Sequence, residues 1–328
     1  MAHHFLLSPE ARTLSMAAVL KMSDEEAAVT FCRLRWPSTG GEPICPSCGG
    51  LVCYRYRSRP VFKCKACCHQ FSATSGTLFA WHKLPLRLYL LAIVLFVNAV
   101  KGLSALHLGR DLGVSYKSAF VLAHKLREAM ASELAALPAL GGPGRQAEID
   151  GALFGGHVRP ANHVEHRVDR RQAENQSDKR QSVVVIRERD GRVVPAVFSS
   201  EDDSVAFIKT RLAQGTVVHA DEAACWNALH ARFEMRRITH REAYSADGAC
   251  TNQAESYFAR LRRAEIGQHH HLAGVYLKRY AQEMAWKETH RREGNGEQFT
   301  LLGRLAAACR PSVDFCGYWQ RHRQATTG

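Results

Sequence analysis

The sequence predicts an α/β chain in three parts: a small ribbon held by cysteines, a helical segment, and a larger domain built on a mixed sheet. Three observations carry that expectation. Two C-x-x-C pairs, Cys45 with Cys48 and Cys64 with Cys67, stand sixteen residues apart. Residues 101–130 show a helical apolar period broken at Gly113. From Gln146 on, β-branched and amphipathic runs follow in the order strand, strand, strand, helix, strand, helix, strand, helix.

The chain has 328 residues and a formal net charge of +13. At roughly 150 residues per domain, its length suits about two domains. Apolar residues make up 46% and charged residues 23%, ordinary globular usage that excludes a mainly disordered chain. The longest apolar run, 88–100, has 13 residues and includes Asn98. About 20 are needed to cross a bilayer, so no membrane partner is expected. The N-terminus lacks a basic segment followed by a continuous apolar one, which argues against a secretory signal and for a cytoplasmic location. The surplus of positive charge favours a polyanionic partner, nucleic acid first.

Seven of the eleven cysteines lie between Cys32 and Cys68, and the rest (Cys225, Cys250, Cys309, Cys316) are scattered. An odd, locally clustered set argues against a disulfide framework. Paired knuckles at this spacing suit a tetrahedral Zn²⁺ held by Cys45, Cys48, Cys64 and Cys67. Cys68, beside Cys67, is the alternative fourth ligand. Residues 51–63 alternate aromatic or β-branched with basic residues, as a zinc-ribbon hairpin would. So small a ribbon has little core of its own, so metal binding would supply its folding energy. Arg55 and Arg57, among Tyr54, Tyr56 and Phe62, suit a phosphate backbone; they equally suit a solvated hairpin face.

Pro85 is expected to open a helix running to about Val100. Ser104 caps a short helix ending near Leu112, Gly113 breaks it, and Ser115 caps a second helix with Ala119, Leu122, Ala123 and Leu126 on one face. This is a helix-turn-helix layout, whose second helix enters the major groove in DNA-binding proteins. Tyr116, Lys117, Ser118, His124, Lys125 and Arg127 are the candidate DNA-facing side chains, although the same layout also serves plain structural roles. Residues 131–145 end in Gly, Pro and Gly and read as a linker.

Beyond it, Asp150 falls on the first expected strand (from 146), with a hairpin over 182–198. Asp221 ends the fourth strand, 216–221, and Glu255 sits on a helix over 251–265. Acids on the first strand, the fourth strand and the last helix match the layout of an RNase H-like α/β domain with a mixed five-stranded sheet. There the first and fourth strands are neighbours. Carboxylates in such a group bind Mg²⁺ or Mn²⁺, hard ions suited to phosphodiester chemistry. Arg262 is two turns from Glu255 and shares its helix face. With Arg260 and Arg263 it is a candidate phosphate contact. Asn252, one turn before Glu255, is the alternative third ligand. Each acid taken alone reads as a cap, a turn residue or a solvated side chain. Their joint fit to one topology is what singles them out.

The chain resembles bacterial insertion-sequence transposases of the ISXO type. The resemblance runs over roughly 30–292, through Arg35-Trp36-Pro37, CPSCGG, FKCKACCHQFSATSGTLF, GRDLGVSYKSAFVLAHKLREAM, AEIDGALFGG, VVHADEAACWNAL and the block from TNQAES to GQHHH. It implies binding of terminal inverted repeats, cleavage at element ends, and transfer of the freed 3′-hydroxyl to target DNA. Asp150 and Asp221 match the family's first two acids. The third is Glu255 or Asn252, since Glu, Asn or His occurs there, and Arg262 falls where the family tends to have a basic residue. The second knuckle usually continues with Gly, where this chain has Cys68. Tyr244 and Tyr257 are not assigned as nucleophiles, because this chemistry needs no covalent protein intermediate. His269, His270 and His271 are expected in a loop near DNA. Two element ends must be held together, which implies a homo-oligomer on DNA. The expected boundaries are an N-terminal helical segment 1–38, the ribbon 39–80, the helix-turn-helix region 81–135, a linker 136–145, the DDE domain 146–292 and a C-terminal helical tail 293–328. The competing functions are a catalytically inactive DNA-binding regulator and a nuclease without strand transfer.

Overall fold

The computed structural model describes residues 5–319 except 82, 157–158, 170–171, 173–174, 176, 178, 190, 240–249 and 273. The chain forms two units. Residues up to Ala135 and those from His290 make up one, and Ala136–Thr289 the other.

In the first unit, α1 (Met16–Leu20) and α2 (Asp24–Arg35) come first. Ser23 opens α2 with a capping box: its hydroxyl accepts from Glu26 N at 3.1 Å while the Glu26 carboxylate accepts from Ser23 N at 2.7 Å. Two amides that the helix itself leaves unbonded are thereby satisfied. The ribbon is an antiparallel sheet of β1 (Cys53–Arg55), β2 (Phe62–Cys64) and β3 (Gln70–Phe71). Trp36 packs edge to face on the strand residues Phe62 and Phe71, which are tilted to each other, with ring centroids 5.6–6.3 Å apart. Pro85 then precedes α3 (Leu86–Asn98), in which Leu90, Ile93, Val94 and Phe96 are buried. Burying each such side chain is worth about 1.5–3 kcal/mol relative to exposure, so packing, not the modest helix propensity of Val and Ile, holds this helix. α4 (Ala105–Leu112) ends at Gly113, whose φ of +64° is the left-handed conformation that lets the chain turn, and α5 (Tyr116–Ala136) follows. The side chains of Ser104 and Ser115 accept from the amides of His107 and Ser118, as the capping pattern requires.

In the second unit, β4 (Leu140–Gly141) pairs in parallel with a short strand at Leu212–Ala213. The stretch expected as a linker, 136–145, is therefore partly strand. The main sheet contains β5 (Gln146–Phe154), β6 (Gln181–Glu188) and β7 (Val193–Phe198), followed by helix α6 (Val205–Arg211). That strand at Leu212–Ala213 is β8, and β9 (Val217–Ala220) and β10 (Glu234–Arg237) come next. The order is β10-β9-β5-β6-β7, with β5, β6 and β7 antiparallel and β9 and β10 running parallel to β5. The first and fourth strands of this sheet thus lie side by side. One face of the sheet buries Ala147, Ile149, Val184, Ile186, Val218 and Ala220 against Trp226, Leu229 and Phe233. The segment expected as an α-helix over 222–230 is a short 3-10 helix, Ala224–Leu229, the tighter i→i+3 form common in short connectors. α7 (Asn252–Ala264) and α8 (Leu277–Thr289) pack on β5, β6 and β7.

The expected C-terminal tail folds back into the first unit. There α9 (Asn295–Ala308) packs on α2 and α3. At its start, Asn295 Oδ1 accepts from Leu14 N at 2.8 Å and Nδ2 donates to Leu14 O at 2.7 Å. Among the described residues no helix is long and apolar enough to cross a membrane.

Candidate active site and metal centre

The ribbon builds its site from two tight turns. Gly49 N donates to Cys45 O at 2.9 Å and Cys68 N to Cys64 O at 3.1 Å, so both C-x-x-C segments curl alike. The sulfurs of Cys45, Cys48, Cys64 and Cys67 all lie within 4.8 Å of one another, with Cys45 to Cys67 at 3.5 Å and Cys48 to Cys64 at 3.6 Å. Tetrahedral Zn²⁺ with Zn–S bonds of about 2.3 Å places sulfurs about 3.8 Å apart, so the donor set fits zinc. The backbone amide of Cys67, against some burial, helps lower the Cys64 thiol to about 6, which favours the thiolate a metal needs. Cys68 is exposed and takes φ +60°, the same left-handed turn position that Gly49 occupies at φ +73°. It follows Cys67 and lies outside the four-thiol cluster.

The carboxylates converge through the sheet. β5 and β9 pair with Glu148 beside His219, so Asp150 and Asp221, each two residues further, come level where β9 ends. Burial, with the charges of Asp221, Glu255 and Glu201, pushes the Asp150 carboxyl up to about 7, against a 2.8 Å hydrogen bond from Gly151 N. Asp221 Oδ1 accepts from Trp226 Nε1 at 2.7 Å and from Ala223 N at 3.2 Å. Arg237 fastens the following loop by donating to the carbonyls of Asp221 and Ala223 at 2.6 Å each. Asn252 is exposed at the first position of α7, and Glu255, one turn on, accepts from Thr251 Oγ1 at 3.2 Å. Hard oxygen donors gathered around a carboxyl that resists ionising alone suit a divalent cation such as Mg²⁺.

Sequence reasoning missed three residues here. Glu201, just beyond β7, reaches the site because Gly151 has no side chain: a Cβ there would lie 2.3 Å from Glu201 Oε1. The signal available was the Gly directly after Asp150. Trp226 orients Asp221 from five residues on. Glu148 is fully buried and accepts from the amides of Gln253 at 2.8 Å and Ala254 at 3.0 Å, at the start of α7.

The expected DNA contacts divide. Arg55, Arg57, Tyr116, Arg262 and Arg263 are exposed, and the Arg262 guanidinium lies 5.7 Å from the Phe154 ring centroid, at the end of the strand bearing Asp150. Lys117 is exposed, with Nζ 5.5 Å from the Trp319 ring centroid, while Lys125 is half-buried and its pKa is lowered by burial. Arg260 is paired with Glu288 at 2.9 Å. Two expectations are corrected. Arg127 is buried, donates to Leu103 O at 3.0 Å and lies over Phe96. His124 is buried and stacks on Phe315 at 4.9 Å. Both belong to the packed side of α5, not to a DNA-facing one. His269 is also not in a loop: Glu265–His269 continues α7 as a π turn, with the His269 ring 4.5 Å from Tyr280. Tyr257 is buried with its hydroxyl donating to Ala281 O at 2.9 Å, while Tyr244 lies outside the described residues.

Comparison with known proteins follows this division of the chain. Residues 140–289 match the ISXO2-like transposase domain and residues 22–70 the transposase zinc-ribbon domain. An uncharacterized protein in transposable element ISH50 of Halobacterium salinarum is 24% identical over 295 residues, 86% of this chain and 96% of that protein. No solved structure matches.

Proposed function

Given that the chain belongs to the insertion-sequence transposases that join a zinc ribbon to an ISXO2-like domain, we propose that it cuts phosphodiester bonds at the ends of its element and transfers the freed 3′-hydroxyl to target DNA. The observation that carries this reading is the adjacency of β5 and β9, which brings Asp150 level with Asp221 inside the matched domain. The sheet order and the acid-bearing α7 support an RNase H-like arrangement. Asp150, Asp221 and either Glu255 or Asn252 would hold Mg²⁺ or Mn²⁺, which supplies Lewis-acid stabilisation of the charge that develops on the phosphate. Trp226 and the Ala223 amide hold the Asp221 carboxylate in one orientation. Arg262 and Arg263 bind the DNA phosphates beside the carboxylates. The ribbon, through Arg55 and Arg57, and α5, through Tyr116, Lys117 and Lys125, bind the terminal inverted repeats. Two ends are cut together, so the working form on DNA is a homo-oligomer, acting in the cytoplasm.

The test is cleavage of a labelled duplex carrying the terminal repeat, in Mg²⁺ or EDTA, by wild type and by Asp150→Ala, Asp221→Ala, Glu255→Ala and Asn252→Ala. Metal-dependent nicking lost in both Asp variants, with repeat binding intact, is the expected result. Whichever of the other two variants also loses nicking identifies the third ligand. Wild type that binds the repeat yet never cuts, whichever divalent metal is supplied, would overturn the reading in favour of a DNA-binding regulator.

A further inference from the structure

Glu148 is a carboxylate with no exposed surface, and a buried charge persists only when it is paired and hydrogen-bonded. Its partners are unusual in where they come from. Oε2 accepts from Gln253 N at 2.8 Å and Ala254 N at 3.0 Å, two amides of the first turn of α7, 105 and 106 residues away in sequence. Oε1 accepts from Arg189 Nε at 3.1 Å. α7 has no side-chain cap of its own, since Thr251 makes no such bond to the helix. A strand carboxylate has taken over the cap, where negative charge also complements the helix dipole.

The placement has leverage. Glu148 and Asp150 are two apart on β5, so they project to the same side of the strand. Gln253 and Ala254 stand between Asn252 and Glu255. One carboxylate therefore links the strand carrying the first acid to the helix turn carrying both candidates for the third. Arg189 extends the link. Its Nη1 donates to Gln146 Oε1 at 2.6 Å, and its Nη2 lies 3.3 Å from both His219 Nδ1 and Cys250 O. His219 Nε2 lies 3.1 Å from the same Gln146 oxygen. The network spans β5, β9 and α7, the three elements that present the candidate acids, and satisfied buried networks of this kind fix one arrangement.

We infer that Glu148 is a positioning residue for the carboxylate site: it clamps the first turn of α7 to β5 and so sets where Glu255 and Asn252 stand relative to Asp150. It acts through those residues, and this rests on the functional reading above. Glu148→Gln tests it. The amide has one acceptor oxygen, and its NH₂ opposes either the helix amides or Arg189. Five quantities are read on the full-length protein: hydrogen exchange of residues 252–256, Mn²⁺ affinity by paramagnetic resonance, nicking, binding of the repeat duplex, and thermal midpoint. Exchange in the first turn of α7 is expected to accelerate at least tenfold. Mn²⁺ affinity and nicking are expected to fall about 10–100-fold, as removal of a ligand-orienting group does. Repeat binding should stay at its wild-type value, while the midpoint falls as the loss of a buried charged hydrogen bond requires. If Glu148→Gln leaves too little folded protein to read, Glu148→Asp, which keeps the charge one methylene shorter, is read in its place. Unchanged exchange overturns the clamp. Faster exchange with unchanged Mn²⁺ affinity overturns the positioning role and leaves a stability contact. Asp150→Ala is the control. If it binds Mn²⁺ as wild type does, or if wild type never nicks, the functional reading falls, and exchange at 252–256 still decides the clamp.

Discussion

The two donor clusters of this chain are assembled by opposite means. Four thiols of the ribbon meet within 4.8 Å of one another, supported by short turns and three aromatic rings. Among the described residues no comparably tight group of acids exists. The carboxylates are instead spread over β5, the end of β9 and α7, each held by its own neighbours: Asp221 by Trp226, Glu255 by Thr251, and the start of α7 by Glu148. In the ribbon, two tight backbone turns set the spacing of the four thiols. Carboxylates repel and must be held apart by a scaffold until a cation joins them. On the proposed function, the ribbon would rely on zinc to fold, and the acid site would rely on its fold to bind a cation.

The largest effect that would break this contrast is in the ribbon. Cys64→Ser, or prolonged chelation, is expected to unfold it, because structural zinc supplies on the order of 10 kcal/mol or more to such modules. Metal content and near-ultraviolet circular dichroism check this, and a ribbon that keeps its structure without metal would remove the distinction. Next is the scaffold of the acid site. Trp226→Phe deletes the donor to Asp221 and is expected to cost about 1.5–3 kcal/mol of stability, the worth of a hydrogen bond to a charged group, with Mn²⁺ affinity down about tenfold or more. Denaturant unfolding and a metal titration read the two separately.

A smaller effect sharpens the ribbon side. Cys68 stands at φ +60°, so Cys68→Gly should stabilise the ribbon by about 1 kcal/mol while zinc content stays the same. Loss of zinc in that variant would return Cys68 to the ligand set. The smallest concerns His290. Burial opposes its charge, but hydrogen bonds with Glu133 at 3.2 Å and Glu293 at 2.8 Å prevail and raise its pKa. Its contribution to stability is therefore fully present below the unfolded value of about 6.5 and is lost as pH rises through the folded value. A pH series of unfolding midpoints, wild type against His290→Ala, should converge toward high pH.

Much of this was legible because local chemistry decides it. The C-x-x-C pairs, the serine caps with Gly113, and the strand order that sets Asp150 beside Asp221 all follow from spacing and period. What was not legible depends on partners distant in sequence. Arg127 reads as a surface cation until the Leu103 carbonyl and the Phe96 ring surround it. Glu148 carries no signal of its own, because the amides that need it as acceptor lie more than a hundred positions away. The C-terminal tail reads as helical, but nothing in its own residues says that α2 and α3 pack against it.

That return of α9 has a consequence for how the protein is made. The helical unit begins before Ala135 and lacks α9 until residue 308 has been synthesised, so the sheet-bearing unit leaves the ribosome first. At about 5–20 residues per second the delay is roughly 10–30 s. A chain that ends between α3 and α9 therefore lacks the helix that packs on α2 and α3, and limited proteolysis should cut it faster than the full-length protein.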